Sequence, residues 1–205
     1  LNKLSTLERV NKYLQDEADK RLEEKKTPLN TFYPSSVGQC IVKAYHEKLE
    51  PKTFPVDTYK LFVIGNLTHE WLQSKIYADG QNEVPIKWEE GDIIISGRID
   101  CILGDTILEF KSIAKLDYVQ SKPKPEHLEQ INLYMHKTGI HKGKIIYVTK
   151  NNLEIIEHDV EYSEKLYKKT INYFKRIYWY VSRKVEPKVK RCTTPWSCEY
   201  CKKKD

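Results

Sequence analysis

Apolar residues recur at every third or fourth position through the first part of the chain: Leu4, Leu7, Val10, Leu14, Ala18 and Leu22. That spacing predicts an amphipathic helix over 3–26. Glu8–Lys12, Asp16–Lys20 and Glu17–Arg21 form i,i+4 charge pairs on its outer side, and Thr27-Pro28 ends it. A second helix is expected from Ser35 or Ser36, both good caps, to Leu49, with Pro51 as the stop. A third covers 57–77, capped by Asp57 or Thr58, with Leu61, Ile64, Leu72 and Ile76 turned inward. The period then changes. Glu83–Trp88, Ile93–Leu103 and Thr106–Phe110 read as strands. Glu90-Gly91 or Gly91-Asp92 turns the first into the second, and Gly104-Asp105 turns the second into the third. Residues 113–125 form a loop, and a helix follows from Pro125 or Glu126 to Lys137, ended by Gly139. Lys144–Thr149 and Glu154–Val160 make a second hairpin around Asn151-Asn152. Ser163 caps a long helix to about Arg183, with Leu166, Ile171, Phe174, Ile177, Tyr178 and Val181 inward.

The central hairpin carries the chemistry. A glycine at the first of two turn positions supplies the positive φ of a type II′ turn and fixes the register. Leu103 then faces Thr106, and counting outward sets Asp100 opposite Glu109, with Lys111 on the same face. Facing carboxylates repel, and a divalent cation is the natural compensation because hard cations take carboxylate oxygens. Around the hairpin, His69 sits on the third helix in a sequence that is not H-E-x-x-H, since position 73 is Gln. Gln130 and Tyr134 share one face of the fourth helix, with His127 beside them. Each of these also has a purely structural reading. Tyr173, Tyr178, Trp179 and Tyr180 on the last helix could stack on bases, though core packing accounts for most of them.

Composition narrows the field. The chain has 205 residues, a net charge of +6 and five cysteines. This length suits one domain: an N-terminal helical part (1–77), a core (83–183) and a basic, cysteine-rich strap (184–205). The chain begins at Leu1, so residues upstream are allowed for. No apolar run reaches membrane-spanning length and residues 1–27 have no leader-like apolar core, so a soluble, cytoplasmic protein is expected. Residues 183–205 hold eight basic residues against three acidic ones, which suits a polyanionic partner. An odd number of cysteines without a leader argues against a disulfide framework. Cys192, Cys198 and Cys201 are spaced C-x5-C-x2-C, which indicates a thiolate-bound centre. Cys101 lies beside Asp100 on the opposite strand face and reads as core, which leaves Cys40 as the fourth ligand.

A strand–strand–helix order bearing Asp100, then Glu109-Phe110-Lys111, then Gln130 and Tyr134 resembles the PD-(D/E)xK nuclease superfamily, and within it the RecB-like branch with a preceding helical His, here His69. One N-terminal cysteine with three C-terminal ones is similar to the subset built around a 4Fe–4S cluster, and the chain looks most like the CRISPR-associated Cas-four exonuclease family. The resemblance spans residues 35 to 201. Ile99 stands where the branch usually has Pro, and Ile41-Val42-Lys43 follows Cys40 in place of Pro-Arg. The resemblance implies an α/β (α+β), restriction-endonuclease-like core with a mixed central sheet flanked by helices. It implies an Mg²⁺- or Mn²⁺-dependent exonuclease working 5′-to-3′ on single-stranded DNA, alongside the CRISPR integrase in spacer acquisition. The metal would sit on His69, Asp100, Glu109 and the Phe110 carbonyl; Lys111 would position the attacking water or the phosphate, with Gln130 and Tyr134 assisting and Glu83 a weaker candidate. The cluster would sit on Cys40, Cys192, Cys198 and Cys201 as a structural staple. Two other readings stand beside this one: a repair or recombination nuclease unrelated to CRISPR, and a non-catalytic nucleic-acid-binding module with a structural zinc. A homo-oligomer is compatible with all three.

Overall fold

The computed structural model describes residues 4–24, 27–51 and 55–188. Within it the helices are α1 (Thr6–Glu24), α2 (Ile41–Leu49), α3 (Val56–Trp71), α4 (Pro125–Thr138) and α5 (Glu164–Arg183). The strands are β1 (Thr31–Phe32), β2 (Gln81–Glu90), β3 (Ile93–Leu103), β4 (Thr106–Ile113), β5 (Lys142–Thr149) and β6 (Ile155–Glu161). They form one mixed sheet in the order β1-β3-β4-β5-β6, with β2 on the other edge of β3. β4 and β5 are parallel and joined through α4, as a parallel pair requires a crossover. The result is the mixed α/β, restriction-endonuclease-like core expected from the sequence. No helix among the described residues is long and apolar enough to cross a membrane.

Alternation along β4 and β5 separates two faces. Ile107, Ile145 and Tyr147 pack toward α4, with Ile131, Tyr134 and Met135. Leu108, Phe110, Ile146 and Val148 pack on the other side, with Leu72 at the end of α3. A third cluster joins α2 and α5 to β1 and the start of β3, where Phe32 stacks on Phe174 with ring centroids 4.9 Å apart. Ser163 caps α5 by accepting the Leu166 amide, and Gly139 ends α4 at φ 72°, both as the sequence indicates.

Four expectations need correction. Cys40 is the N-cap of α2 and not part of its first turns: a short 3₁₀ turn, Pro34–Ser36, precedes it, and Gly38 breaks the chain direction at φ 78°. On α3 the residues taken as inward, Leu61, Ile64 and Ile76, are exposed, whereas Tyr59, Gly65 and Thr68 are buried. The helix sits close to β4 at Gly65, where an added Cβ would lie 3.0 Å from Ser112 Oγ, so a narrow residue and not the Leu/Ile stripe marks the contact face. A π-turn at Leu72–Ile76 then shifts the helical phase. On α1 only the later apolar residues, Leu14 and Ala18, are buried, against Tyr59 of α3; Leu4, Leu7 and Val10 are exposed.

The fourth correction concerns the hairpin. Gly104 has φ 59° and the register Leu103↔Thr106 is the expected one, but pairing runs only as far as Cys101↔Leu108. Beyond it β3 turns over. Cys101 packs on the α3 side with Leu108, while Ile99, two residues earlier, packs on the α4 side with Tyr134. The adjacent strand turns over with it: Val84, opposite Ile99, joins the α4-side core, while Asn82, opposite Cys101, donates to the Gln73 and Tyr77 carbonyls of the π-turn. Between them Glu83 has φ 54°, a left-handed conformation that a non-glycine residue rarely adopts. On its far edge β3 pairs with β1 at Ile94 and Ile95 and with β4 from Cys101, so no strand pairing is made there by residues 96–100.

Phe174→Ala removes one half of the Phe32 stack from a fully buried position. It is expected to lower unfolding free energy by roughly 3–5 kcal/mol, read from urea denaturation, with the mixed-sheet circular dichroism signature retained.

Candidate active site

The parting of β3 and β4 exposes Asp100 to β4 in an unusual way. In a regular ladder the Phe110 amide would bond to a β3 carbonyl. Instead it donates to Asp100 Oδ2 at 2.7 Å, so a carboxylate takes the place of the missing backbone acceptor. The other oxygen, Oδ1, lies 3.7 Å from His69 Nδ1. The Asp100 carbonyl accepts Gln73 Nε2 at 2.9 Å, and the same amide donates to Glu83 Oε1 at 2.7 Å. Glu83 Oε2 in turn pairs with Arg98 Nε at 3.1 Å. Gln73 therefore clamps the joint from the π-turn. Periodicity could not have found it, because a π-turn displaces side chains from the positions a 3.6-residue repeat assigns.

Glu109 and Lys111 lie on the α4 side of β4. Lys111 Nζ is 2.7 Å from Glu109 Oε1 and donates to Gln130 Oε1 at 2.8 Å. The Gln130 amide nitrogen donates to Glu109 Oε1 at 2.7 Å and to Tyr134 Oη at 3.1 Å. Gln130 and Tyr134 are both buried. Gly97 lets the Pro34 ring lie against the unpaired stretch of β3, since an added Cβ would be 3.0 Å from Pro34 Cδ; Tyr134 Cε1, at 3.5 Å, would be in ordinary contact. His69, Asp100, Glu109, Lys111, Gln130 and Tyr134 are thus brought into one neighbourhood.

The electrostatics are those of a dry site holding unequal charge. Burial, and then the nearby Asp100 charge, push the Glu109 carboxyl up to about 7, against the pull of Lys111. Burial opposes the Lys111 charge, but Glu109 and Asp100 outweigh it and hold its ammonium above the ordinary lysine range. His69 behaves likewise: burial lowers it, Asp100 more than compensates, and the net direction is upward. Glu109 is 1 % exposed, and among the described residues its Oε2 has no hydrogen-bond partner. A buried carboxylate oxygen without a donor is costly and implies a charge-compensating group that the protein does not itself supply.

The fit for a metal depends on which kind. Among the described residues no group of three or more His, Cys, Asp and Glu could hold a metal ion as placed. That excludes a closed protein cage within those residues. Mg²⁺ does not require one, because it is held through one or two carboxylates together with water and substrate phosphates. Asp100 Oδ1 and the orphaned Glu109 Oε2 are donors of that kind.

The expectations of a 4Fe–4S cluster and of membership in the CRISPR-associated Cas-four family are corrected: among the described residues no His, Cys, Asp and Glu side chains gather into a metal centre, and the solved structures of similar fold include exonucleases without pointing to a cluster-bearing one. Cys192, Cys198 and Cys201 lie outside the described residues. Cys40 is a partly buried thiol packed against the apolar cluster of α2 and α5. Cys101 is core, as expected, its thiol pushed up to about 11 by burial. Of the aromatics on α5, Tyr173 is tied to the Gln39 carbonyl at 2.8 Å, Tyr178 and Tyr180 pack on the core, and Trp179 is exposed.

No family model and no curated protein matches the chain. Solved structures do. SSO0001 superposes with a TM-score of 0.66 at 17% identity, covering 94% of this chain and 93% of its own. A phage-related exonuclease from Haemophilus somnus 129PT gives 0.54 at 14% identity, over 71% and 80%. LHK-Exo, in complex with dAMP, gives 0.50 at 16% identity, over 82% and 94%. At these identities the likeness is one of fold alone, and two of these three structures are of proteins named as exonucleases.

Proposed function

We propose that this chain is a divalent-cation-dependent DNA exonuclease that hydrolyses phosphodiester bonds, acting as a repair or recombination nuclease. The observation that carries the reading is the buried Glu109 carboxylate, one oxygen without a donor, beside Asp100 and the Lys111 ammonium. The shared fold supports it: a phage-related exonuclease has this fold, and so does LHK-Exo, whose bound dAMP is the kind of unit that hydrolysis at a DNA strand end releases. Neither 5′-to-3′ polarity nor the CRISPR setting draws support from that likeness.

Asp100, Glu109 and the Phe110 carbonyl would hold the cation, with His69 as an imidazole donor that favours Mn²⁺ over Mg²⁺. When bound, Mg²⁺ or Mn²⁺ lowers the pKa of an attacking water and offsets charge on the phosphate. The chain's own residues do the rest. Lys111 is held charged by its carboxylate neighbours, so it acts as a donor, orienting the nucleophile and stabilising the crowded phosphate oxygens. Gln130 sets the Lys111 direction through its carbonyl oxygen and ties Tyr134 to the same network through its amide. Tyr134 stays a neutral phenol, because burial and the Glu109 charge drive its ionisation well above the ordinary range. Its hydroxyl proton is thereby kept for a phosphate oxygen.

Asp100→Ala, Glu109→Ala and Lys111→Ala should each reduce Mg²⁺- or Mn²⁺-dependent cleavage of labelled DNA by at least about 10²- to 10³-fold while DNA binding in chelator persists. Gln130→Ala should give a smaller loss in kcat. Undiminished cleavage by Asp100→Ala would refute the assignment.

The raised Glu109 carboxyl gives a pH signature. Its folded-state pKa lies above the ordinary 4.5, so protonation favours the folded state. That contribution is full below about 4.5 and is lost as pH rises through about 7. In EDTA, the melting temperature of the wild type should therefore fall relative to Glu109→Gln between pH 5 and 8. Adding Mn²⁺ should reverse the trend, and calorimetry below pH 7 should show proton release on Mn²⁺ binding.

A further inference from the structure

The loop between β4 and α4, residues 114–124, leaves β4 three residues after Lys111. It is pinned. Val119 is fully buried in the core that holds Tyr134. The Val119 amide donates to the Leu116 carbonyl at 2.8 Å, and the Val119 carbonyl is 2.6 Å from His158 Nε2. At its far end, the Lys124 amide donates to the buried Tyr147 hydroxyl at 3.0 Å. The same hydroxyl lies 2.7 Å from His127 Nδ1. Burial keeps His127 neutral, driving it down to about 3.

On this anchored loop Tyr118 is 81% exposed, immediately before fully buried Val119. An aromatic ring so presented contributes little to packing. It borders a half-open depression of about 290 Å³ lined also by Ile113, Ala114, Lys115 and Lys124. That is close to the lower end of small-ligand pockets, roughly 300–1,000 Å³. Neither lysine is paired with a carboxylate among the described residues; Ala114 and Lys115 also border an adjoining depression that Asp117 and Glu154 line, so the acidic groups lie on the side away from Tyr118 and Lys124.

We propose that this loop is a subsite for one unpaired nucleotide of the DNA strand, with Tyr118 stacking on the base and Lys115 and Lys124 taking the flanking phosphates. The proposal rests on the nuclease reading above and adds a strand-guiding site beside it. An aromatic face with cations on either side is the combination that holds single strands without reading sequence, and a base still paired and stacked in a duplex cannot offer its face.

The test is fluorescence anisotropy of a labelled oligothymidylate in EDTA. Tyr118→Ala should weaken binding roughly 5- to 150-fold, the equivalent of one lost base stack, with an unchanged melting temperature. Tyr118→Phe should bind as the wild type does. A blunt duplex, and an abasic strand of the same length, should not distinguish wild type from Tyr118→Ala. The Lys115→Ala/Lys124→Ala double variant should reduce the slope of log Kd against log salt by about 1.4, two single-strand phosphates. Wild-type affinity in Tyr118→Ala, an equal loss in Tyr118→Phe, or an equal loss on the duplex would each overturn the subsite and leave the nuclease reading standing. A wild-type protein that binds no DNA would overturn both.

Discussion

The bond from the Phe110 amide to the Asp100 carboxylate is the constraint on which the site depends. It marks where β3 and β4 cease to be a ladder. A buried backbone N–H needs an acceptor, and once β3 turns over only the Asp100 side chain supplies it. The turn-over is shared by two strands. Glu83, in a left-handed conformation, reverses β2 at the position opposite Asp100, and Gln73 from the π-turn locks both residues with one amide. Strain of this kind persists only where surrounding bonds over-determine it, and it concentrates at functional sites. The same joint holds one Asp100 oxygen in place and leaves the other facing His69.

On the α4 side the network is closed rather than strained. Gln130 uses its carbonyl on Lys111 and its amide on Glu109 and Tyr134. Gln130 thereby fixes the half-buried Lys111 and the buried Glu109 and Tyr134, and the ion pair of the first two is largely shielded from water. In such a setting an ion pair contributes orientation more than stability, because desolvation offsets much of the Coulomb attraction. The imbalance that remains, two carboxylates against one ammonium with one oxygen unpaired, makes the site receptive to a cation.

The helices set the distances between these halves. Gly65 lets α3 lie close on β4, which brings His69, one helical turn later, to Asp100. Gly97 lets the Pro34 ring lie against the unpaired stretch of β3. Both glycines work by lacking a side chain, one bringing a helix near the sheet and the other bringing a proline ring near a strand edge.

Much of this was legible in the sequence. The type II′ turn at Gly104-Asp105, the caps at Ser163 and Gly139, and the period of α4 and α5 follow from local preferences, which act over a few residues and survive any tertiary context that does not oppose them. The pairing of Lys111 with Glu109 followed from alternation along one strand. The sequence misled where a local rule was carried past its range. Counting along the hairpin assumed a ladder that ends at Cys101, and the Leu61–Ile64–Ile76 stripe assumed that the most apolar face of α3 is its packed face. Cysteine spacing suggested a shared metal centre, but ligand convergence is a matter of three-dimensional placement that spacing alone does not decide. What only the tertiary structure decided was the reversal of β2 and β3, the clamp by Gln73, the burial of Gln130 and the display of Tyr118. Each depends on contacts between segments distant in sequence, where the side chain's role is set by the neighbours that close around it and not by its own pattern.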